Sequence, residues 1–591
     1  MSFRPAGRMV LAVLLALAVP SAAHASPSQD LAKLCDDFWQ GTLKAGPSFA
    51  TSLGDHRYDD QLEDNTPAGF TREHKRLEGI AARAKAIDPK TLSSADRVSL
   101  SALKLEVQNE LDEMDFHFEE WVVDPRGGPQ NNFMSLPDVT TIITAEDGDH
   151  YVARLHKMAP FVDQTIENLK RGLKAGKIGT QSGVDAVLDQ LDSLTAHRVD
   201  AWELSSPATA KHEDWTGDQK VKFADAIHAA LENEVKPSFV RYRDFLRAQI
   251  QPVARPQDKV GILNVPGGKE VYLKRIRTQT SLDRTPEQLH QLGLEQVAKV
   301  RKELSELGAK VLGTSDLAEI QKKLRSDPAM RFKTADEVED KARTTLARAK
   351  AAIPGYFGVL PKQDCEVKVM GMFEAPYSTI AYYRQGAPDG SRPGYYMINT
   401  YKQETRPRYD AEALAFHESI PGHHLQIAIA QELEGIPEFR KQLGVTSFVE
   451  GWALYTERLA DEMGIYSSDL DRIGMLSFDA WRACRLVVDT GMHAMGWSRQ
   501  QAIDYMMENT VLAENNVVNE VNRYIGDPAQ ALAYKLGQIE ILSLRDDGKK
   551  RLGDKFDLKK FHDVVLQNGA VALPVLRQQV EAYYAQAEGA K

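Results

Sequence analysis

The stretch His417-Glu418-Ser419-Ile420-Pro421-Gly422-His423-His424, HESIPGHH, decides how this chain is read. It opens like the zinc-binding helix His-Glu-x-x-His, in which two histidines one turn apart reach a single ion and the glutamate activates a water. Here, however, the fourth residue after His417 is Pro421, and the next histidines fall six and seven positions on. On a straight helix of about 100° and 1.5 Å per residue, His424 would share the face of His417 but sit roughly 10 Å along the axis. His423 would point about 120° away. Neither could chelate with His417. Proline removes a helical donor and clashes with the preceding turn, and glycine accepts unusual dihedrals. A Pro421-Gly422 bulge looping out of the helix would restore His417…His423 as His-Glu-x-x-His. His423 is therefore expected as the second ligand, with His424 as its rival or as a group behind the ligands. The plainer reading ends a helix at Ile420 and leaves three unrelated histidines. It has to explain why three of 15 histidines in 591 residues fall within eight positions beside a glutamate.

Two histidines leave a zinc site one protein ligand short. Downstream, FVEGWALYTERLADEMG offers Glu450 and Glu457, seven residues apart and so on one face of a predicted helix. Ser447-Phe448-Val449-Glu450 also fits a capping box, in which the glutamate merely closes the helix start. With a histidine pair upstream, Glu450 is expected as the third ligand. Glu457 is expected to orient a histidine's distal nitrogen.

Further on, RACRLVVDTGMHAMGW places Arg482, Asp489 and His493 within roughly 20° of one direction on a largely apolar helix. Such a stripe either pairs internally, as an Arg482–Asp489 salt bridge would, or faces a wet cavity. In the second case His493 would lie near the developing oxyanion and Arg482 would meet a substrate carboxylate. ALAYKLGQIEIL adds Tyr534 as an oxyanion donor, with Tyr524 competing, and Lys535 as a partner for a peptide's terminal carboxylate. Tyr382 and Tyr383 stand in a strand-like segment where an extended peptide could pair with a sheet edge.

Around these motifs most of the chain reads as amphipathic helix. ADRVSLSALKLEVQNELDEM and TPEQLHQLGLEQVAKVRKELSELGAKVLG carry apolar residues at three- and four-residue spacing. The exception lies between about Cys365 and Tyr401, where EVKVMGMF and YYMINTY are short β-type runs split by the turn-rich GAPDGSRPG. The expected fold is mainly α, with one small β-sheet next to the metal site. Residues 26–591 show no linker, low-complexity tract or repeat, so they read as one domain or two interwoven lobes, with the metal-site segment at about 365–540.

Residues 1–25 read as a signal peptide: Arg4 and Arg8, an apolar run from Met9 to Val19, then Ala23-His24-Ala25. A periplasmic or secreted protein follows, with no membrane insertion after signal removal. Loss of two arginines takes the formal charge from −11 to −13, and an acidic chain without basic clusters argues against nucleic acid as a partner. Cys35, Cys365 and Cys484 form no motif, although one bridge would suit an exported protein.

HESIPGHH followed by EGWALYTE resembles a large bacterial family catalogued as "domain of unknown function 885". AYYRQGAPDGSRPGYYMIN, RLVVDTGMHAMGWSRQQAIDYM, DPAQALAYKLGQIEIL and the early GPSFATSLGDHRYDD extend the resemblance over nearly the whole mature chain. That family looks like a relative of the glutamate-zincin peptidases. The resemblance implies a large two-lobed helical body around a deep groove, and a metallopeptidase more firmly than any substrate. Dipeptidyl peptidases of the third type, in the wider clan, lengthen the same motif by one residue, which supports His423 by analogy. The combined expectation is a metallopeptidase holding one Zn²⁺ and cleaving short peptides, with Glu418 as general base. An amidase or esterase acting on a cell-wall or other non-peptide substrate is the alternative, and a non-catalytic peptide-binding protein is the second.

Overall fold

The helical periodicity is realised with its punctuation. In a computed structural model that describes residues 26–371, 375, 379–387, 390, 392–442 and 444–589, Ser93 caps the helix Ser94–Asp115 by accepting the Asp96 N–H. A Thr285–Gln288 capping box opens the helix Pro286–Leu312, which stops at Gly313 with φ 71°. Along that helix Leu289, Gly293, Val297, Val300 and Leu304 are buried, the stripe expected of an amphipathic segment. The expected signal peptide lies outside the described residues.

The β-type runs form one three-stranded sheet: β1 (Cys365–Val369), β2 (Ala381–Arg384) and β3 (Gly394–Ile398). The order is β1-β3-β2, with β3 parallel to β1 and antiparallel to β2, Tyr383 opposite Tyr396. The fold is thus mainly α with a small sheet, as the sequence pattern implies.

Five helices carry the candidate site: α1 (Ala411–Glu418), α2 (His423–Glu432), α3 (Thr446–Glu462), α4 (Asp469–Ala494) and α5 (Ala533–Leu552). Phe416 of α1, Leu425 of α2 and Trp452 of α3 share one apolar core with the sheet residues Val367 and Tyr396. Much of α4 is buried in a neighbouring core with Val297 and Val300 of the helix Pro286–Leu312. A third core is drawn wholly from residues 123–250. All three cysteines are free and buried, so the bridge that export would permit is not made.

Candidate metal centre

α1 ends at Glu418 and α2 begins at His423, so the proline-glycine pair sits in a four-residue connection between two helices. This corrects the expected bulge within one helix, although the consequence for the histidines is the same. The Ile420–Pro421 peptide is cis, and the His424 N–H returns to the Ser419 carbonyl at 3.0 Å. The chain folds so tightly that a Cβ on Gly422 would lie 1.9 Å from the His417 carbonyl oxygen; only glycine fits there. α3 clasps the turn from outside: the Trp452 indole N–H donates to the Pro421 carbonyl at 2.9 Å. The result brings the His417 and His423 rings to 4.8 Å between centroids, 86° apart.

Glu450 completes the cluster from the second turn of α3. Its Oε2 lies 3.5 Å from Nε2 of His417 and 3.5 Å from Nε2 of His423, and one ligand atom from each residue lies within 4.8 Å of the others. That oxygen is buried and has no hydrogen-bond partner. A separation of 3.5 Å is long for a hydrogen bond. It suits the edge of a tetrahedron, because ligand bonds of about 2.0–2.1 Å set donor atoms about 3.4 Å apart. The capping explanation for Glu450 fails: α3 starts at Thr446 without a side-chain cap, and the Ser447 hydroxyl donates to the Thr280 carbonyl at 2.9 Å.

Behind this cluster, Glu457 Oε1 accepts the Nδ1–H of His417 at 2.8 Å, which turns Nε2 toward Glu450, 3.5 Å from its Oε2. Burial pulls the His417 imidazole down, yet the Glu450 and Glu457 carboxylates outweigh it and hold the group at about 9. Although burial opposes ionisation of Glu450, the two histidines keep its carboxyl well below the usual range. Two carboxylates around two imidazoles make a pocket that stabilises a cation, whether proton or metal.

The neighbouring residues divide into two groups. Glu418 is partly exposed, and its Oε2 accepts the Tyr383 backbone N–H from β2 at 3.0 Å. Tyr534 stacks 6.4 Å from the His417 ring at 15°, with the Arg485 guanidinium 4.2 Å from the centre of its own ring. Burial and the Glu450 charge raise the Tyr534 pKa, so the phenol stays a donor. It reaches the site because α3 and α5 meet through glycines: a Cβ on Gly451 would lie 2.4 Å from Gly537 Cα. Tyr382 accepts from Arg384 Nη2 at 2.8 Å. Both residues line a cavity of about 560 Å³ that shares Leu62, Glu63 and Phe161 with a second of about 1180 Å³. The second cavity reaches Val445 and Thr446 at the start of α3.

Other expected site residues are committed elsewhere. His424 uses both ring nitrogens, at 3.0 Å to the Tyr383 hydroxyl and 3.1 Å to the Gln363 carbonyl, so it is not the ligand. His493 accepts the Ile262 N–H at Nδ1 (3.1 Å) and donates from Nε2 to the Tyr524 carbonyl (3.0 Å), which leaves nothing for an oxyanion. The Tyr524 hydroxyl accepts from Trp481 Nε1 and Arg485 Nε, each at 2.8 Å, in a buried setting. Arg482 is buried with its guanidinium 4.5 and 4.2 Å from the Phe478 and Trp481 ring centres, and 3.8 Å from Glu457, behind the His417–His423–Glu450 cluster. The alternative, an Arg482–Asp489 salt bridge, is not made either, since Asp489 instead accepts the Tyr272 hydroxyl at 2.5 Å and the Ala529 N–H at 3.2 Å. Lys535 is buried and donates to Asp479 and, at 2.8 Å, to Gln538 Oε1, so it is not free for a terminal carboxylate. The roles of Trp452, Gln363 and the Tyr383 amide were not readable, because each acts through a contact distant in sequence.

The chain is similar over 95 % of its length, at 28 % identity and a TM-score of 0.89, to the whole of a Colwellia psychrerythraea protein described as a "putative lipoprotein". A "putative lipoprotein of unknown function" from Shewanella oneidensis aligns at 20 % identity and TM-score 0.72 over 94 % of this chain and 99 % of its own, a likeness of fold alone. No curated protein matches the chain. The model of the family described as "bacterial protein of unknown function (DUF885)" matches residues 47–580, and the chain belongs to that family.

Proposed function

We propose that the protein is a zinc-dependent metallopeptidase, related to the glutamate-zincins, that hydrolyses short peptides outside the cytoplasm. One observation carries the reading: a buried, partnerless Glu450 oxygen equidistant from two imidazole nitrogens. His417, His423 and Glu450 would hold the ion. Zinc at such a site polarises a carbonyl and lowers the pKa of water toward about 7.

The chain's own residues then divide the remaining work. The Tyr383 amide holds Glu418 Oε2, so Oε1 is the oxygen that takes a proton from the attacking water and passes it to the leaving nitrogen. Tyr534 donates its phenolic proton as a hydrogen bond to the carbonyl oxygen as that oxygen gains charge. β2 ends the sheet among the described residues, and an extended peptide added along it would run past Glu418. The two cavities, one lined by Tyr382 and Arg384 of β2 and the other by Thr446 of α3, have a size that suits a short peptide better than a folded protein.

The apolar run after Arg8 and the Colwellia protein's description support export to the periplasm or beyond. No helix among the described residues is long and apolar enough to cross a membrane. The test is metal analysis of the purified mature protein combined with digestion of a peptide library. About one equivalent of zinc and chelator-sensitive cleavage are expected. Full metal loading with no peptide cleaved, but with turnover of amides or esters, would move the protein to the amidase or esterase class.

A further inference from the structure

The last histidine of HESIPGHH faces the sheet. Its Nε2 lies 3.1 Å from the Gln363 carbonyl, which can only accept, so Nε2 carries the hydrogen and Nδ1 is left as an acceptor. The Tyr383 hydroxyl donates to that nitrogen at 3.0 Å. Tyr383 in turn donates its backbone N–H to Glu418 Oε2 at 3.0 Å. Gly394 on β3 makes the room: a Cβ there would stand 2.6 Å from the Tyr383 hydroxyl and 2.7 Å from His424 Nδ1. Glu418 at the end of α1 and His424 at the start of α2 are thus joined through one residue of β2, around the outside of the Ser419–Gly422 turn.

We propose that His424 and Tyr383 are positioning residues for Glu418. By fixing β2 they make its amide hold one carboxylate oxygen and leave the other for the proton. A carboxylate on a flexible stem would otherwise sample several orientations, and displacement of a reacting group by about 1 Å costs up to 10²-fold in rate. The inference rests on Glu418 being the base, as proposed above. It gives the second histidine of the pair a role in the same reaction without a bond to the metal. A pure packing role for the Tyr383–His424 pair makes a different forecast, loss of stability with kcat intact.

The experiment is a double-mutant cycle on the zinc-loaded protein. Tyr383→Phe and His424→Leu are each expected to lower kcat about tenfold or more, with zinc content unchanged and KM shifted by less than kcat falls. The double variant is expected to fall no further than either single one. His424→Asn, whose side-chain oxygen can replace Nδ1 as acceptor, is expected to restore most of the rate. Unchanged kcat, multiplying effects, or His424→Asn as slow as His424→Leu would each overturn the proposal. Tyr383→Phe removes a single oxygen and keeps the cycle readable where His424→Leu fails to fold. Should the wild type cleave no substrate, the peptidase reading fails separately, and crystal structures decide the positioning. Loss of the Glu418–Tyr383 amide bond in Tyr383→Phe or His424→Leu supports it, and its survival in both refutes it.

Discussion

Two buried polar clusters in this chain look alike in sequence and differ in what their atoms lack. The first is His417, His423 and Glu450; the second is the α4 stripe of Arg482, Asp489 and His493. Each places a histidine and a carboxylate on helices with apolar neighbours. In the stripe, both His493 nitrogens and both Asp489 oxygens have partners, supplied by Ile262, Tyr524, Tyr272 and Ala529. In the first cluster a carboxylate oxygen is buried between two imidazoles without a hydrogen bond. Burial of an unpaired polar atom costs roughly 1–3 kcal/mol, so it persists where something else binds to it. Arg482 of the stripe also keeps Nε and Nη1 without hydrogen bonds, but these are cationic donors stacked on Phe478 and Trp481; an unmet acceptor between two imidazoles is what sets the first cluster apart.

That contrast can be broken experimentally. The largest effect should come from His423→Ala, which is expected to lose bound zinc in metal analysis and to reduce hydrolysis to background. Glu418→Gln is expected to retain its zinc while kcat falls about 10²- to 10⁴-fold, since the base is removed and the ligands are not. Glu457→Gln should weaken zinc binding about 10- to 100-fold in a chelator competition, through loss of the group that orients His417. In the stripe, His493→Ala should leave zinc content and kcat within about twofold of wild type. It should lower the melting temperature by a few degrees, the consequence of stranding buried partners at roughly 1–3 kcal/mol. A His493→Ala protein that lost its metal would erase the distinction.

The smallest effect is one of pH. Burial lifts the Asp489 carboxyl to about 7, against an ordinary value of about 4. A carboxyl raised in the folded state stabilises fully below about pH 4, and that contribution is lost as pH rises toward about 7. Asp489→Asn should therefore flatten the decline of melting temperature across that interval. An unchanged slope would show that Asp489 does not set it.

Much of the first cluster was legible from local geometry. His-Glu, the six-residue step across Pro421-Gly422 and the seven-residue pair Glu450/Glu457 are patterns that helix dimensions convert into shared faces. The route was not: a bulge in one helix was expected, and the chain uses two helices joined by a turn that Trp452 holds from 31 residues away. His424 could not be excluded from sequence because its exclusion depends on Gln363 and Tyr383, on other elements. The misreading of Arg482, His493 and Lys535 has the same origin. A helical wheel says which residues share a face, and nothing about what that face meets.

The sequence by itself determined the helices, the small sheet, the break at Pro421-Gly422 and the stock of histidines and carboxylates that could hold a metal, because these follow from periodicity and from backbone chemistry within a few residues. Tertiary structure decided which polar faces were filled and which were left open. Close approaches such as Gly451 to Gly537 and Gly293 to Leu486 and Val487 set the distances between helices. Those distances determine whether a buried nitrogen or oxygen finds a partner in the protein or is left for an ion.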